Sequence, residues 1–228
     1  MSGYQNDEEQ LEALKSWWKE NGSSLITGVI VVLAVFFGVR QWQASQDSQA
    51  GMASDLYQQI ADTVIDNLTL EAGEDAIAAA LSSYIQLKAD FPDSIYTRYA
   101  ALAIAKFHVD QNQLAEAAVE LQWILDNPEL GFMQEADEEL GKVARLRLAR
   151  VKVAQQQFQT ALDLLNAVQP DTFEPGFAEV EGDALYGLGR RDEALAAYER
   201  ALAANTEGNP VLLQLKMQDL GWNPQEAF

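Results

Sequence analysis

Apolar residues along this chain follow two different rules. Residues 22–39, GSSLITGVIVVLAVFFGV, carry neither charge nor proline. As a helix, 18 residues span roughly 27 Å, close to the hydrocarbon thickness of a bilayer. Only a helix or a closed barrel crosses lipid with its backbone satisfied, so the run predicts a transmembrane helix. The competing reading is a buried core helix, for which residues 25–39 are long enough. Beyond Trp42 the sequence QASQDSQAGMAS is small and polar and reads as a helical stalk. From Met52 onward apolar residues return at helical period, as Leu56, Ile60, Val64 and Leu68. No stretch after that alternates with period two, so no sheet is expected.

The flanks of the run look like membrane borders. Trp17 and Trp18 lie on one side with Lys15 and Lys19, and Trp42 lies on the other beside Arg40. Trp18 to Trp42 is about 36 Å of helix, which matches the two headgroup layers. Five acids (Asp7, Glu8, Glu9, Glu12, Glu20) precede the run, unlike the short basic leader of a cleaved signal peptide, so an uncleaved anchor is expected. Two lysines before the span against one arginine after it favour a cytoplasmic N-terminus. The tail predicts a helix start at Asn6, with Glu9 as capping partner, and a short amphipathic helix through Leu11, Leu14 and Trp18. Asn21–Gly22 is expected to interrupt it; a helix continuous with the span is the alternative. Within the span, Ser24, Thr27, Gly28, Val31, Ala34, Val35 and Gly38 fall in an arc of roughly 120° at 100° per residue. Small residues on one face let a second transmembrane helix approach, although membrane helices also tolerate glycine in general.

The remainder repeats. The segments DAIAAALSSYIQLKADFP, LAEAAVELQWILDNP, QTALDLLNAVQP and DEALAAYERALAANTEGNP share a plan. A small residue is followed four positions later by a large one, three further on by another apolar one, and then by proline. The anchoring alanines are Ala80, Ala117, Ala161 and Ala194, spaced by 37, 44 and 33 residues. This is near the 34-residue tetratricopeptide period, with an acidic insertion, GFMQEADEEL at 131–140, read as a loop or helix extension. A helix–turn–helix unit cannot bury its own apolar faces, so units stack, and small residues sit where helices cross. The fourth unit fits best, through Gly182, Leu185, Tyr186, Gly189, Ala194, Tyr198 and Ala201; the first rests on Ala80, Tyr84, Leu87 and Pro92. NPVLLQLKMQDLGW reads as a capping helix. The expected fold is all-α, a single N-terminal transmembrane helix followed by a tetratricopeptide-like α-solenoid. Its divisions are 1–21 cytoplasmic tail with a short amphipathic helix, 22–40 transmembrane helix, 41–55 stalk, and 56–228 repeat domain with the C-terminal cap.

Charge narrows the function. The 228 residues hold 35 acids and 15 bases, a net of -20. Residues 1–40 account for five acids and three bases, leaving 30 and 12, or -18, beyond them. Such a domain repels phosphate, so no nucleic acid partner is expected, nor adhesion of that domain to anionic lipid. With no cysteine there is no disulfide, thiol nucleophile or thiolate metal site. His108 is the single histidine and reads as a packing or surface residue. No HExxH, GxSxG, P-loop or GxGxxG pattern occurs. We expect no enzyme activity, no metal and no cofactor.

Recognition is the expectation instead. The first helix of each pair lines the concave side of such a solenoid. That places Tyr99, Leu102 and Lys106 of the second unit in a groove, with Leu146, Arg150 and Val153 of the third and Glu179, Asp183 and Tyr186 of the fourth. Aromatic and apolar anchors with both charge signs suit a peptide or a partner's extended segment. Leu102 and Leu146 are the members that packing inside the superhelix would claim first. Arg147 and Arg150 have neighbouring carboxylates as their alternative partners.

Two parts of the chain carry a resemblance. YQNDEEQLEALKSWWKENG running directly into the span resembles the ancillary subunit family of the bacterial SecYEG translocon, as do LRLARVKVAQQQFQTAL and LLQLKMQDLGW. The resemblance implies a single-pass inner-membrane protein of a Gram-negative bacterium with a periplasmic repeat domain. It also implies association with the SecYEG translocon and with a membrane-anchored periplasmic chaperone of the peptidyl-prolyl isomerase class. The soluble part further resembles the repeat domain of a periplasmic cell-division coordinator that has no span. The implied role is an adaptor assisting transfer of secreted proteins. Alternatives are an envelope-stress regulator that binds a cytoplasmic partner through residues 1–21, or a cell-division or envelope scaffold.

Overall fold

A computed structural model describes residues 3–64, 73–128, 138–204 and 210–223, and among them every regular element is helical. The chain divides into two units, residues 1–52 and 53–228.

Helix α1 runs over Gly3–Val64. It differs from expectation at two points. It begins ahead of Asn6, and it passes through Asn21–Gly22 without a break. The reason is local: the Asn21 side-chain amide donates to the Trp17 carbonyl at 3.1 Å, and the Trp18 indole lies over Gly22, 3.2 Å from where a Cβ would stand. Both contacts need helical geometry, so residues that usually stop a helix are held inside one.

The apolar run is bare in the first unit. Its large side chains from Leu25 to Val39 are exposed, and only 6% of the 18-residue apolar window is buried. A core helix would be the reverse, which removes that reading. By length and composition the segment is apolar enough to cross a membrane.

In the second unit the last turns of α1 pack with α2 (Glu74–Asp90). Three further pairs follow: α3 (Ile95–Asp110) with α4 (Leu114–Asp126), α5 (Glu138–Ala154) with α6 (Phe158–Leu165), and α7 (Glu174–Gly187) with α8 (Arg191–Ala204). Helix α9 (Val211–Asp219) packs on α8 at the C-terminal end and buries Leu213 and Met217. Successive helices contact one another in chain order, as stacked pairs must.

The repeat anchors are where the spacing puts them. Ala80, Ala117, Ala161 and Ala194 are all buried, and so are the residues four later, Tyr84, Leu121, Leu165 and Tyr198. One apolar cluster extends from Ala53 to Val151 and a second from Leu146 to Met217. Helix α5 feeds both, Ala144, Leu148 and Val151 into the first and Leu146 and Ala149 into the second, so it is the seam of the domain. Leu68 lies outside the described residues, as does the acidic insertion apart from residues 138–140, which open α5.

The turns inside the pairs are also alike. Asn112, Gln156 and Gly189 take left-handed backbone conformations, with φ of 59°, 60° and 77°. After each, the next amide donates five residues back: Gln113 to His108, Gln157 to Lys152 and Arg190 to Leu185, at 2.7–2.9 Å. This is a Schellman C-cap, which satisfies carbonyls that the helix end leaves free.

Candidate protein-binding face

The nine groove residues expected from sequence do not share one surface role. Leu102 and Leu146 are each only 8% exposed and belong to the apolar clusters, so they build the domain rather than its surface. Val153 is half-buried against the second cluster. Tyr99 and Tyr186 are the open aromatics, 43% and 49% exposed. Tyr99 is joined by a residue that sequence reasoning missed: the Tyr57 ring from the end of α1 lies 6.3 Å from it and 5.9 Å from Tyr96. Burial and the nearby Tyr99 phenol push the Tyr57 pKa above its ordinary value. Tyr57 follows the buried Ala53 by four and precedes the buried Ile60 by three, and that spacing was the available signal.

Glu179 and Asp183 on α7 are brought together by α9. Lys216 Nζ sits 2.8 Å from Glu179 and 2.8 and 2.9 Å from the two Asp183 oxygens. The Tyr198 hydroxyl donates to the same Asp183 carboxylate at 2.8 Å, and Lys216 Nζ lies 5.7 Å from the Tyr198 ring centroid. Burial works against the Lys216 ammonium, but the hydrogen bonds to Asp183 and Glu179 outweigh it and leave its pKa raised. Burial, and then the bond to Asp183, push the Tyr198 phenol well above its usual value. These two acids therefore dock the C-terminal helix; they are not free groove charges.

Lys106 and Arg150 meet across α3, α4 and α5. They line a cavity of about 360 Å³ with Ala105, Val109, Leu114, Leu121, Arg147, Val151 and Ala154. Lys106 is paired with Asp110 at 2.6 Å, one turn on. Arg147 and Arg150, for which neighbouring carboxylates were the alternative partners, have none within 4.0 Å among the described residues. Burial, and secondarily the Arg150 charge, lower the Arg147 pKa from its ordinary value. Arg150 reaches toward the start of α7, where a Cβ on Gly176 would stand 3.6 Å from its Nη2.

Arg98 was not foreseen. It is buried in α3 and donates to the carbonyls of Asn127, Asp93 and Ser94 at 2.9–3.1 Å, tying the start of α3 to the end of α4. This is a structural use of a charge, since carbonyls replace its water. A similar role falls to Glu120, which accepts from the Tyr84 hydroxyl and from Lys88 at 2.9 Å, with Lys88 held 4.5 Å from the Trp123 ring centroid.

The histidine has a local partner too. His108 Nδ1 lies 2.7 Å from Gln113 Oε1, and its ring packs edge-on against Phe107. Among the described residues no three His, Cys, Asp or Glu side chains come together as a metal site would require. In the span, Gly28 and Gly38 open onto empty space, and the Thr27 hydroxyl bonds back to the Ser23 carbonyl at 2.8 Å.

Comparison with known proteins agrees with this architecture. A family model described as a tetratricopeptide repeat-like domain matches residues 15–222. An ancillary SecYEG translocon subunit of Escherichia coli strain K12 is 32% identical over 221 residues, 96% of this chain and 99% of that protein. A protein of the same name from Haemophilus influenzae is 28% identical over 214 residues, 94% of this chain and 97% of its own. One from Neisseria gonorrhoeae is 25% identical over 225 residues, covering 96% and 100%. No solved structure matches. All three of these relatives thus align over more than nine-tenths of the chain, and the chain belongs to the ancillary SecYEG translocon subunit family, built on a tetratricopeptide repeat-like domain.

Proposed function

We propose that this protein is a membrane-anchored adaptor of the Sec translocon that links it to a periplasmic chaperone of the peptidyl-prolyl isomerase class and assists transfer of secreted proteins. The observation that carries the reading is the joining of two surfaces on one chain: a bare apolar helix of membrane length, and a repeat domain in a family named for SecYEG. Residues 1–21 face the cytoplasm, residues 22–40 cross the inner membrane, residues 41–55 form the stalk, and residues 56–228 stand in the periplasm, in line with the lysines ahead of the span.

Tethering supplies much of the mechanism. A short linker holds the domain at an effective concentration on the order of millimolar near its membrane partner, so a face of modest affinity is enough. Ser24, Gly28, Val31, Ala34, Val35 and Gly38 form the contact stripe for a translocon or chaperone helix. Recognition, rather than bond making, is the work of the chain, and this suits a face of open tyrosines and of arginines that meet no carboxylate within 4.0 Å among the described residues.

The test is affinity purification of the tagged full chain from membranes in mild detergent, with a photocrosslinker placed at Gly28 or at Leu33 on the opposite face. The reading expects SecYEG subunits and an isomerase-type chaperone in the eluate, with adducts from Gly28. Absence of SecYEG would refute the adaptor. Adducts from Leu33 alone would refute the stripe.

A further inference from the structure

The cavity between the second and third helical pairs joins apolar side chains to basic ones, with no acidic residue in its lining. Its lining joins Ala105, Leu114, Leu121 and Val151 with Lys106, Arg147 and Arg150, of which Lys106 is already paired with Asp110 at 2.6 Å. At about 360 Å³ it sits at the lower end of the range of ligand pockets, which is roughly 300–1,000 Å³. It therefore accommodates one or two side chains of a short segment rather than a whole helix. The two arginines are three positions apart on α5, neighbours on one helix face and of like charge. Among the described residues neither has a carboxylate, although residues 41–228 carry 30 acids and 12 bases. Other cations of the domain do meet carboxylates, Lys88 with Glu120, Lys142 with Asp171, Arg200 with Glu181 and Lys216 with Glu179, while Arg98 and Arg191 are held by backbone carbonyls.

We infer that this cavity is the seat for a short partner peptide that presents an apolar side chain beside one or two carboxylates. The apolar walls take the side chain, and the planar guanidinium forks of Arg147 and Arg150 donate to carboxylate oxygens in two parallel hydrogen bonds. Charge complementarity selects the occupant. The repulsive field of the acidic domain excludes polyphosphates and nucleic acid, whereas a single carboxylate at close range meets two cations with no competing acid within 4.0 Å among the described residues. This deepens the adaptor reading and rests on it only in naming which patch of the domain meets a partner.

The experiment uses the full chain in nanodiscs and fluorescence anisotropy. The probe is a labelled ten-residue peptide of serine and glycine with two leucines and two glutamates at its centre. One control replaces the glutamates with lysine and another replaces the leucines with serine. Saturable micromolar binding is expected for the leucine–glutamate peptide, and at least ten-fold weaker binding for either control. Arg147→Gln with Arg150→Gln should cost at least ten-fold, at an unchanged melting temperature. Arg147→Glu with Arg150→Glu should transfer the preference to the leucine–lysine peptide. Unchanged binding in the glutamine variant, equal binding of all three peptides, or no saturable binding would overturn the inference. So would a melting temperature several degrees lower in the glutamine variant, which would assign the arginines to the fold. Dimerisation lost in that variant would place a second copy in the cavity and overturn it as well. Purification of SecYEG with the glutamine variant keeps the two proposals apart. If peptide binding fails while SecYEG is retained, the cavity alone is withdrawn; if SecYEG is lost while the peptide binds, the adaptor is withdrawn.

Discussion

At position 182 the fold has room for a hydrogen and nothing larger. A Cβ there would stand 2.4 Å from the Tyr198 ring, whose hydroxyl is fixed by Asp183 and whose face is covered by the Lys216 amine. Alanine normally favours a helix over glycine by about 1 kcal/mol, whereas forcing atoms into a packed site costs about 1–3 kcal/mol. Gly182→Ala is therefore expected to lower stability by roughly 1–2 kcal/mol net, seen as a lower midpoint in chemical denaturation. A midpoint raised by the substitution would mean that the ring is free to move. The same neighbourhood sets a response to alkali. Tyr84 and Tyr198 are held neutral in the fold, mainly by burial and then by their hydrogen bonds to Glu120 and Asp183, so their pKa values lie above the ordinary 10.0. Their contribution is whole below pH 10 and is lost as pH rises past it, because only the unfolded chain then ionises. Lys216, raised above 10.5 despite its burial, acts in the same direction. Thermal melts should hold level from pH 8 to 10 and fall above pH 10, and Tyr198→Phe should flatten that fall.

Elements show where the sequence was legible. Alanine spacings of 44 and 33 recur in the left-handed turn residues Asn112, Gln156 and Gly189, so the period marks whole supersecondary units rather than single contacts. Only one of the three turns carries the glycine that such a backbone favours. Gln156→Gly should raise the melting temperature, and Gly189→Ala should lower stability by about 1 kcal/mol; opposite signs would show that the turns are not equivalent. Groove membership was harder to read. A helix stacked on neighbours on both sides leaves a narrow open strip, and one position is 100° of rotation. Tyr99 and Lys106 fall on that strip, while Leu102 between them turns inward. Arg98 was illegible for another reason. Charged residues are almost never fully buried unless paired, and its partners are backbone carbonyls, at the start of its own helix and, through Asn127, at the end of α4, which no side-chain pattern displays. The break expected at Asn21–Gly22 failed because propensity is a weak prior that a tryptophan ring and one amide bond can override.

For the molecule as a whole, the division between a lipid-facing helix and an acidic repeat domain was plain in the sequence. Charge and hydropathy are additive along a chain, and neither needs tertiary detail. A partner's identity is not additive, and it is carried by a few side chains whose exposure depends on packing. The account depends most on lipid surrounding residues 22–40. Fractionation of cells making the full chain, followed by an alkaline carbonate wash of the membranes, measures this directly. The protein is expected to stay in the membrane pellet through the wash and to leave it only with detergent. Recovery in the soluble fraction without detergent, or release by carbonate alone, would contradict the account.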